Sequence, residues 1–213
     1  MISLEKMGCP KSFEHVKVVG VGGCGFMQMD LVYQKLEDAD YIVLDTESES
    51  LEDNLKKGKD KFPKAGSMSG LLIGEELLQG QGVHYDAELA EQAATASRQQ
   101  IIEALQGAQV VFVIAGMGGA TGSGVAGVVA ECAKEIGAYT VGIGFMPFTF
   151  EGAKRLQNAT NSLEKLKKNA DGMIVIELQN LLEKYSGDTP VSKVFKMNYE
   201  DFAEVFREAL EDE

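Results

Sequence analysis

The sequence predicts an α/β protein of three layers, in which a mostly parallel sheet carries helices on both faces. Five apolar runs rich in β-branched residues recur along the chain, and each is nearly continuous rather than alternating, as in strands covered on both faces. Helical patterns separate these runs, and this alternation favours parallel strands joined by helical crossovers. Glycine-rich turns follow two of the runs, at the sheet edge where folds of this class bind ligands.

The predicted elements follow one another along a single domain that spans residues 1–213, with an N-terminal extension at 1–15. The predicted strands are 16–23, 41–45, 110–116, 139–145 and 173–178. The predicted helices are 26–37, 87–106, 122–136, 151–169 and 200–210. Residues 46–86 are less regular, and we expect a helix, a possible short edge strand and long loops there.

The composition of the chain excludes some classes of binding partner and indicates where in the cell the protein is located. The formal net charge is −13 and the pI is about 4.7, so the surface repels nucleic acid and anionic membrane, and we expect neither as a partner. Cys9, Cys24 and Cys132 form no paired motif, which favours a reducing, intracellular setting. His15 and His84 lie far apart in sequence, so no zinc site is predicted. The N-terminus lacks an apolar signal core, and we expect a cytoplasmic protein.

The first glycine turn reads GVGGCG. Gly20, Gly22 and Gly25 fit the pattern G-x-G-x-x-G between a strand and a helix, and Asp45 ends the next strand twenty residues after Gly25. Glycines let the backbone approach a phosphate, and the helix N-terminus offers free amides and a positive dipole end. Taken alone, this pattern fits a dinucleotide site or merely a tight turn.

The second glycine turn reads AGMGGATGSGVAG, residues 115–127. Its glycines allow close backbone approach, and its hydroxyl side chains add hydrogen-bond donors: Gly116, Gly118, Gly119, Gly122 and Gly124, with Thr121 and Ser123. No lysine lies in the turn, so it is not a P-loop, and amides, the helix dipole and a metal ion would have to balance phosphate charge. The alternative is a glycine-rich turn that only allows close helix–strand packing.

A third motif, MPFTFEGAKRL, follows the next predicted strand at 146–156. Pro147 ends that strand, and a helix is predicted to open near Glu151. Glu151 and Arg155 then lie at positions i and i+4 on one helix face. On its own, this pair would be an ordinary surface ion pair.

Together the three motifs resemble those of the tubulin/FtsZ family of GTPases. The stretch AGMGGATGSGVAGVVAECAKEIGAYTVGIGFMPFTFEGAKR is similar to the family's signature GGGTG[ST]G with the PF-x-FEG-x-x-R segment that follows it in FtsZ. The segments VKVVGVGGCG and LDTESESL resemble the first phosphate loop of FtsZ and its NTD-x-x-x-L segment. The resemblance runs from about Val16 onward and implies a Rossmann-like fold of the tubulin nucleotide-binding type.

The resemblance implies a site for GTP or GDP, with Mg²⁺ accompanying the triphosphate. The two glycine turns would bind the phosphates, with Thr121 and Ser123 donating hydrogen bonds. Glu151 and Arg155 would face the ribose, and Phe195 would lie against the guanine plane. The implied site residues are Gly22, Gly23, Cys24, Gly25, Asp45, Gly116, Met117, Gly118, Gly119, Ala120, Thr121, Gly122, Ser123, Gly124, Glu151, Arg155, Phe195 and Tyr199.

Several positions differ from the family pattern. Phe26 replaces an asparagine after the first turn, and Ala120 replaces a glycine where a positive φ would cost about 1 kcal/mol. The γ-phosphate-sensing segment GAGANP of FtsZ corresponds to GVHYDA at 82–87, and its PND loop to ELQN at 177–180. Tyr199 stands where the family has a base-binding Asn or Asp. We therefore expect phosphate binding to be retained and selectivity for guanine to be weaker.

The resemblance also bears on catalysis. In this family the last helix leads to an acidic synergy loop that activates water in the site of a neighbouring subunit, whereas this sequence ends at Glu213. We therefore expect a cytoskeletal or cell-division GTPase with weak hydrolysis that depends on a partner, either a full-length relative or a second copy. Two other functions stay open, a non-catalytic regulator or cap of related filaments and a nicotinamide- or flavin-binding protein. The second glycine turn and PFTFEG argue against the last of these.

Overall fold

The computed structural model describes residues 14–33 and 35–180, and within them six strands form one sheet in which every neighbouring pair is parallel. The order across the sheet is β3-β2-β1-β4-β5-β6. The strands are β1 (Val16–Val21), β2 (Asp40–Asp45), β3 (Ser67–Leu72), β4 (Val110–Gly116), β5 (Tyr139–Met146) and β6 (Gly172–Glu177). The α/β class with a parallel sheet is confirmed.

Helices in the described residues connect these strands. They are α1 (Gly22–Gln28), α2 (Asp30–Tyr33), α3 (Ser48–Lys61), α4 (Glu75–Leu78), α5 (Ala87–Ala96), α6 (Arg98–Leu105), α7 (Ala120–Glu135) and α8 (Ala153–Asn169). A single turn of 3₁₀ helix, Thr149–Glu151, precedes α8. None of these helices is long and apolar enough to cross a membrane.

The central strands are apolar throughout because both faces of the sheet are covered. In β1, Val19 and Val21 pack into a core with α5, α6, α7 and α8, while Val18 packs into the opposite core with α1 and α3. In β4, Val113 packs into the first of these cores and Ile114 packs into the second. Each face therefore buries every second side chain, which yields the continuous apolar runs of the sequence.

The largest differences between predicted and observed boundaries are at three helices. The first begins at Gly22 rather than residue 26, because the chain turns from β1 directly into α1. The predicted helix 87–106 is two helices that meet at Ser97, whose Oγ accepts a hydrogen bond from the Gly74 N–H at 2.8 Å. Glu151 belongs to the 3₁₀ turn, and α8 opens at Ala153. The predicted helix 200–210 lies outside the described residues.

The strand order reverses between β1 and β4. From β1 the chain proceeds outward to β2 and β3, and from β4 it proceeds to β5 and β6 on the other side. The register pairs Val21 with Ala115, so both glycine turns leave the sheet side by side. Parallel sheets of this kind bind ligands in the crevice at the carboxyl ends of the strands where the order reverses.

Candidate functional site

The glycines of the first turn have different structural roles. Gly22 has a φ of +68°, a conformation that favours glycine, and it allows β1 to turn straight into α1. Gly25 lies against the Gly20 backbone and the Ile114 carbonyl, so a Cβ there would collide with β4. Gly23 has open space around it. The turn therefore holds α1 close to the sheet and leaves Gly23 facing a cavity.

Phe26, which stands at the family's asparagine position, is a core residue. Its side chain is buried and meets Phe62 edge to face, with ring centroids 6.1 Å apart. The Lys61 ammonium lies 5.3 Å from the centroid of the Phe26 ring. Phe26 therefore stabilises the packing of α1 against α3, and it does not line the cavity.

The second turn begins at the end of β4 and opens α7. Gly118 has a φ of +86°, and its N–H donates a 2.7 Å hydrogen bond to Ser123 Oγ one turn along. Gly119 is the residue before α7, with ordinary extended dihedrals of −79° and 167°. A Cβ at Gly119 would meet nothing closer than Arg155 Nη2 at 4.0 Å. The amino end of a helix of 16 residues therefore faces an open space at Gly119.

The expected strain at Ala120 is absent, and that prediction was wrong. Ala120 is the first residue of α7, and its φ is not positive. Such strain lies instead between α4 and α5, where Gln79, His84 and Tyr85 have φ values of 51°, 38° and 72°. Each left-handed residue costs about 1–2 kcal/mol, and backbone strain of this kind is concentrated at functional sites.

Both turns and the third motif line one cavity of about 510 Å³. Eleven of the predicted site residues lie on its wall: Gly22, Gly23, Cys24, Gly116, Met117, Gly119, Ala120, Thr121, Gly122, Glu151 and Arg155. Pro147, Phe148 and Phe150 line it as well, although none of the three was predicted as a site residue from the sequence. Their position in the PF-x-FEG motif, beside the charged pair, was the available signal in the sequence.

Four of the predicted glycine-turn residues do not line this cavity. Gly25 and Gly118 approach neighbouring backbone, and Gly124 packs against α5 at Ala87 and Ala90. Ser123 is buried, and its hydroxyl accepts the hydrogen bond from Gly118. These residues shape the turn, so the prediction that Ser123 donates to a phosphate is not supported by its position.

Glu151 and Arg155 form the ion pair predicted from their spacing, with 3.0 Å between Arg155 Nε and Glu151 Oε2. The other carboxylate oxygen, Oε1, accepts a 2.8 Å hydrogen bond from the Phe148 N–H. Glu151 therefore fixes both the arginine and the 3₁₀ turn. Among the described residues that line the cavity, Arg155 is the one lysine or arginine.

Asp45 lies in an adjoining cavity of about 330 Å³ and is buried. Its Oδ1 accepts hydrogen bonds from the N–H groups of Thr46 (2.8 Å) and Glu47 (3.3 Å), and its Oδ2 accepts one from Ser50 Oγ (2.9 Å). Burial raises the pKa of the carboxyl group above its ordinary value of 3.8, against these hydrogen bonds. The carboxylate binds the start of α3, which argues against a ribose contact of the dinucleotide type.

Thr46 and Thr121 connect the two cavities, with their Oγ1 atoms 2.9 Å apart. The adjoining cavity shares Gly119–Thr121 and Arg155 with the first and adds His84 from the strained loop. Neither Thr46 nor the His84 side chain was predicted as part of the site from the sequence. The position of Thr46 directly after a strand end was the available signal.

Cys24 is exposed at the cavity wall, yet the surrounding loops desolvate its thiol. This desolvation raises the pKa from 9.0 to about 11, and the Arg155 charge opposes the increase only in part. The thiol is therefore protonated at neutral pH. Phe195 and Tyr199, the predicted base-binding residues, lie outside the described residues.

The fold and the cavity define a Rossmann-like α/β domain whose crevice at the strand-order reversal is lined by two glycine turns and an arginine. Residues 15–186 match the family model described as "Tubulin/FtsZ family, GTPase domain". The chain therefore belongs to the Tubulin/FtsZ family and carries its GTPase domain, which confirms the resemblance seen in the sequence.

Solved structures agree with this assignment. An empty FtsZ dimer from M. jannaschii is 31% identical with a TM-score of 0.76, and the match covers 95% of this chain and 57% of that one. A CetZ from Methanosaeta thermophila is 26% identical with a TM-score of 0.69, covering 93% of this chain and 55% of that one. CetZ1 from Haloferax volcanii, a GDP-bound monomer, has a similar fold at 23% identity and a TM-score of 0.70, covering 90% and 58%. The chain thus spans under two thirds of the length of these relatives.

Proposed function

We propose that this protein binds GTP or GDP, with the phosphates between the two glycine turns. The observation that carries the proposal is the convergence of Gly23, Gly119 and Arg155 on one cavity at the strand-order reversal. Family membership supports guanine nucleotide as the ligand. The helix dipole and backbone amides of α7 would stabilise phosphate charge together with Arg155.

The cavity wall combines groups that suit the different parts of a nucleotide. The glycine turns offer backbone groups to the phosphates, and Pro147, Phe148 and Phe150 add apolar surface to the wall of the same cavity. Glu151 would face the sugar, and its ion-pair partner Arg155, which lies beside Gly119, would reach both the sugar and the phosphates. No described group of three or more His, Cys, Asp or Glu side chains could hold a metal ion. The nucleotide phosphates and water would therefore supply most ligands of Mg²⁺, as this cation usually requires.

Calorimetric titration with GTP, GDP, ATP and NADH tests the proposal. We expect binding of GDP and GTP, weaker binding of ATP, and little binding of NADH, since Asp45 is occupied within the protein. The absorbance spectrum of any copurified ligand gives an independent reading. A folded protein that binds none of the four ligands would refute the proposal, and a preference for GTP over ATP above roughly a thousandfold, about 4 kcal/mol, would contradict weak base selectivity.

We further propose that hydrolysis by this chain alone is slow. A hydrolase needs a group placed to activate water. Of the described carboxylates that line the two cavities, Glu151 is paired with Arg155, and Asp45 is buried and accepts three hydrogen bonds. Glu47, exposed in the adjoining cavity, is the remaining one. A carboxylate from a second copy or a full-length relative would then raise the rate.

Phosphate release measured with GTP and Mg²⁺ tests this second proposal. We expect slow turnover that rises when a full-length relative is added, and light scattering of the pure protein that stays flat. Fast turnover by the pure protein that Glu47→Gln abolishes would contradict a requirement for a partner. Binding to the relative without any increase in turnover would favour the alternative, a non-catalytic regulator or cap. A cytoplasmic location is part of the same proposal.

A further inference from the structure

The edge strand β3 leaves its outer backbone open to solvent. Among the described residues, β3 pairs only with β2, and that register is continuous over its six residues. Gly70 is exposed, and because glycine has no side chain, this is exposure of the backbone itself. The Ile73 N–H donates to the Asp45 carbonyl at 2.8 Å, so alternation back along the strand directs the N–H and C=O of Gly70 away from β2. The edge therefore presents backbone donors and acceptors that no described strand uses.

The strand lacks the features that usually keep an open edge from pairing. Proteins protect such edges with charged residues, proline or bulges. The sequence of β3, SMSGLL, has no charged residue and no proline, and its unbroken register with β2 leaves no bulge. Ser67 and Ser69 are exposed, and Met68, Leu71 and Leu72 are only partly buried. Another strand could therefore pair with β3 without burying a charge.

The pattern of this edge fits a second copy of the same strand. Two identical edges related by a two-fold axis pair antiparallel, and residues opposite each other point to the same face of the sheet. The outward backbone groups belong to Met68, Gly70 and Leu72. The register that bonds all three within β3 places Gly70 opposite Gly70 of the second copy and Met68 opposite Leu72. Met68 and Leu72 both face the core that holds α1 and α3, so this register also joins apolar side chains across the strands.

The charges at the two ends of β3 are complementary in the same arrangement. Lys64 precedes the strand, Glu75 and Glu76 follow it, and all three residues are exposed. Antiparallel pairing brings the Lys64 end of each copy beside the Glu75–Glu76 end of the other. Lys64 already pairs with Glu37 at 2.6 Å, so a carboxylate of the second copy would extend an existing ion pair. Parallel pairing would instead bring like charges together, which disfavours it.

We propose that two copies of this protein form a symmetric dimer by pairing their β3 strands, so that the two sheets become one. Such a two-fold contact is closed, and it therefore yields a dimer that does not extend into a filament. The contact is short, so we expect a weak dimer that forms as the protein concentration rises. Because β2 separates β3 from β1, the contact does not use the glycine turns, and the inference is independent of nucleotide binding.

Sedimentation equilibrium of the purified chain without nucleotide, at physiological salt, measures this association. We expect a monomer–dimer equilibrium for wild type. Ser69→Lys would place one lysine of each copy on the same face beside the two-fold axis, so we expect dimerisation to weaken about tenfold or more through like-charge repulsion. The matched control is Thr160→Lys, which adds the same charge at an exposed position of α8, a helix that packs against β5 in the other half of the sheet. Thr160→Lys should dimerise as wild type does.

Disulfide cross-linking tests the register and does not depend on the lysine variants. In the proposed dimer, Ser69 lies opposite Leu71 of the second copy as a non-hydrogen-bonded pair, with Cα atoms about 4.5 Å apart, within the range of a disulfide. A mixture of Ser69→Cys and Leu71→Cys should therefore cross-link under oxidised glutathione, and either variant alone should cross-link far less. Wild type is the blank for the native cysteines.

Three results would each overturn the inference. They are a wild-type protein that stays monomeric up to roughly 1 mM, a folded Ser69→Lys that dimerises as wild type does, and cross-linking no greater in the mixture than in the separate variants. Equal melting temperatures of Ser69→Lys and Thr160→Lys would show that the added lysine acts on the contact and not on folding. All three results would leave the proposed function intact.

Discussion

The hydroxyl groups of Thr46 and Thr121 lie 2.9 Å apart and connect the loop after β2 to the first turn of α7. Thr46 is buried, whereas Thr121 is partly buried and lines both cavities. The hydrogen bond therefore couples the second glycine turn to the segment that begins α3. It also holds the Thr121 hydroxyl in a fixed position at the cavity wall.

Substitution of either threonine by valine removes the Thr46–Thr121 hydrogen bond and should affect both the stability of the protein and its binding of GDP. Each single variant leaves one hydroxyl without its partner, so we expect a loss of about 1–3 kcal/mol in the free energy of unfolding. The double variant should lose less than the sum of the two. Thr121→Val should also weaken GDP binding more than Thr46→Val, since Thr46 does not line the larger cavity. Denaturant unfolding and calorimetry measure both effects, and strict additivity would show that the two side chains do not interact.

Gly23 and Gly25 of the first turn should respond differently to an added Cβ. A Cβ at Gly25 would collide with the Ile114 carbonyl and the Gly20 backbone, so Gly25→Ala should lower the free energy of unfolding by about 1–3 kcal/mol. A Cβ at Gly23 would meet nothing within 4 Å, so Gly23→Ala should unfold close to wild type. Urea unfolding of both variants checks this, and similar losses in both would contradict the packing described for α1.

The raised pKa of the Asp45 carboxyl group predicts how the stability of the protein changes with pH. Burial raises the pKa of its carboxyl group in the folded protein above the ordinary value of 3.8. The folded state therefore binds the proton more tightly than the unfolded state, and this stabilising contribution is lost as the pH rises through the folded pKa. In Asp45→Asn the group does not titrate. The stability of wild type relative to Asp45→Asn should thus fall as the pH rises from below 3.8. Thermal unfolding of both proteins across this pH range measures it. An advantage of wild type over Asp45→Asn that grows with pH would contradict the prediction.

We predict that the Cys24 thiol is alkylated slowly, although its side chain is exposed. With a pKa of about 11 rather than 9.0, its thiolate fraction near neutral pH is about a hundredfold below that of an ordinary cysteine. We expect slow alkylation by iodoacetamide that accelerates toward pH 11 and slows when GDP is bound. Mass spectrometry of the peptide that contains Cys24 gives the rate, with Cys24→Ser as the blank. Fast alkylation at pH 7 would show that the thiol is not desolvated.

The sequence allowed the strands, the class of fold and most of the cavity wall to be predicted for physical reasons. Continuous apolar runs identify strands covered on both faces, and glycine turns after strands identify the ligand-binding edge. The roles of Gly25, Ser123 and Asp45 could not be predicted, because they depend on which neighbouring group each meets in three dimensions. The backbone strain at His84 and Tyr85 could not be predicted either, because their positive φ values follow from the path of the loop and not from the residue types.

The central claim, that phosphates occupy the space beside Gly119, is tested most directly by titration of GDP into Gly119→Ala. The dihedrals of Gly119 suit alanine, and the nearest atom to the new Cβ would be Arg155 Nη2 at 4.0 Å, so the free protein should fold with little change in its melting temperature. Gly107→Ala is the control, because Gly107 has a φ of +83° and lies before β4 at the opposite edge of the sheet, where alanine lowers stability without touching the site. We predict that GDP affinity falls about tenfold or more in Gly119→Ala, at least 1.4 kcal/mol, and is unchanged in Gly107→Ala. Wild-type GDP affinity in a folded Gly119→Ala would contradict a phosphate site at the second glycine turn.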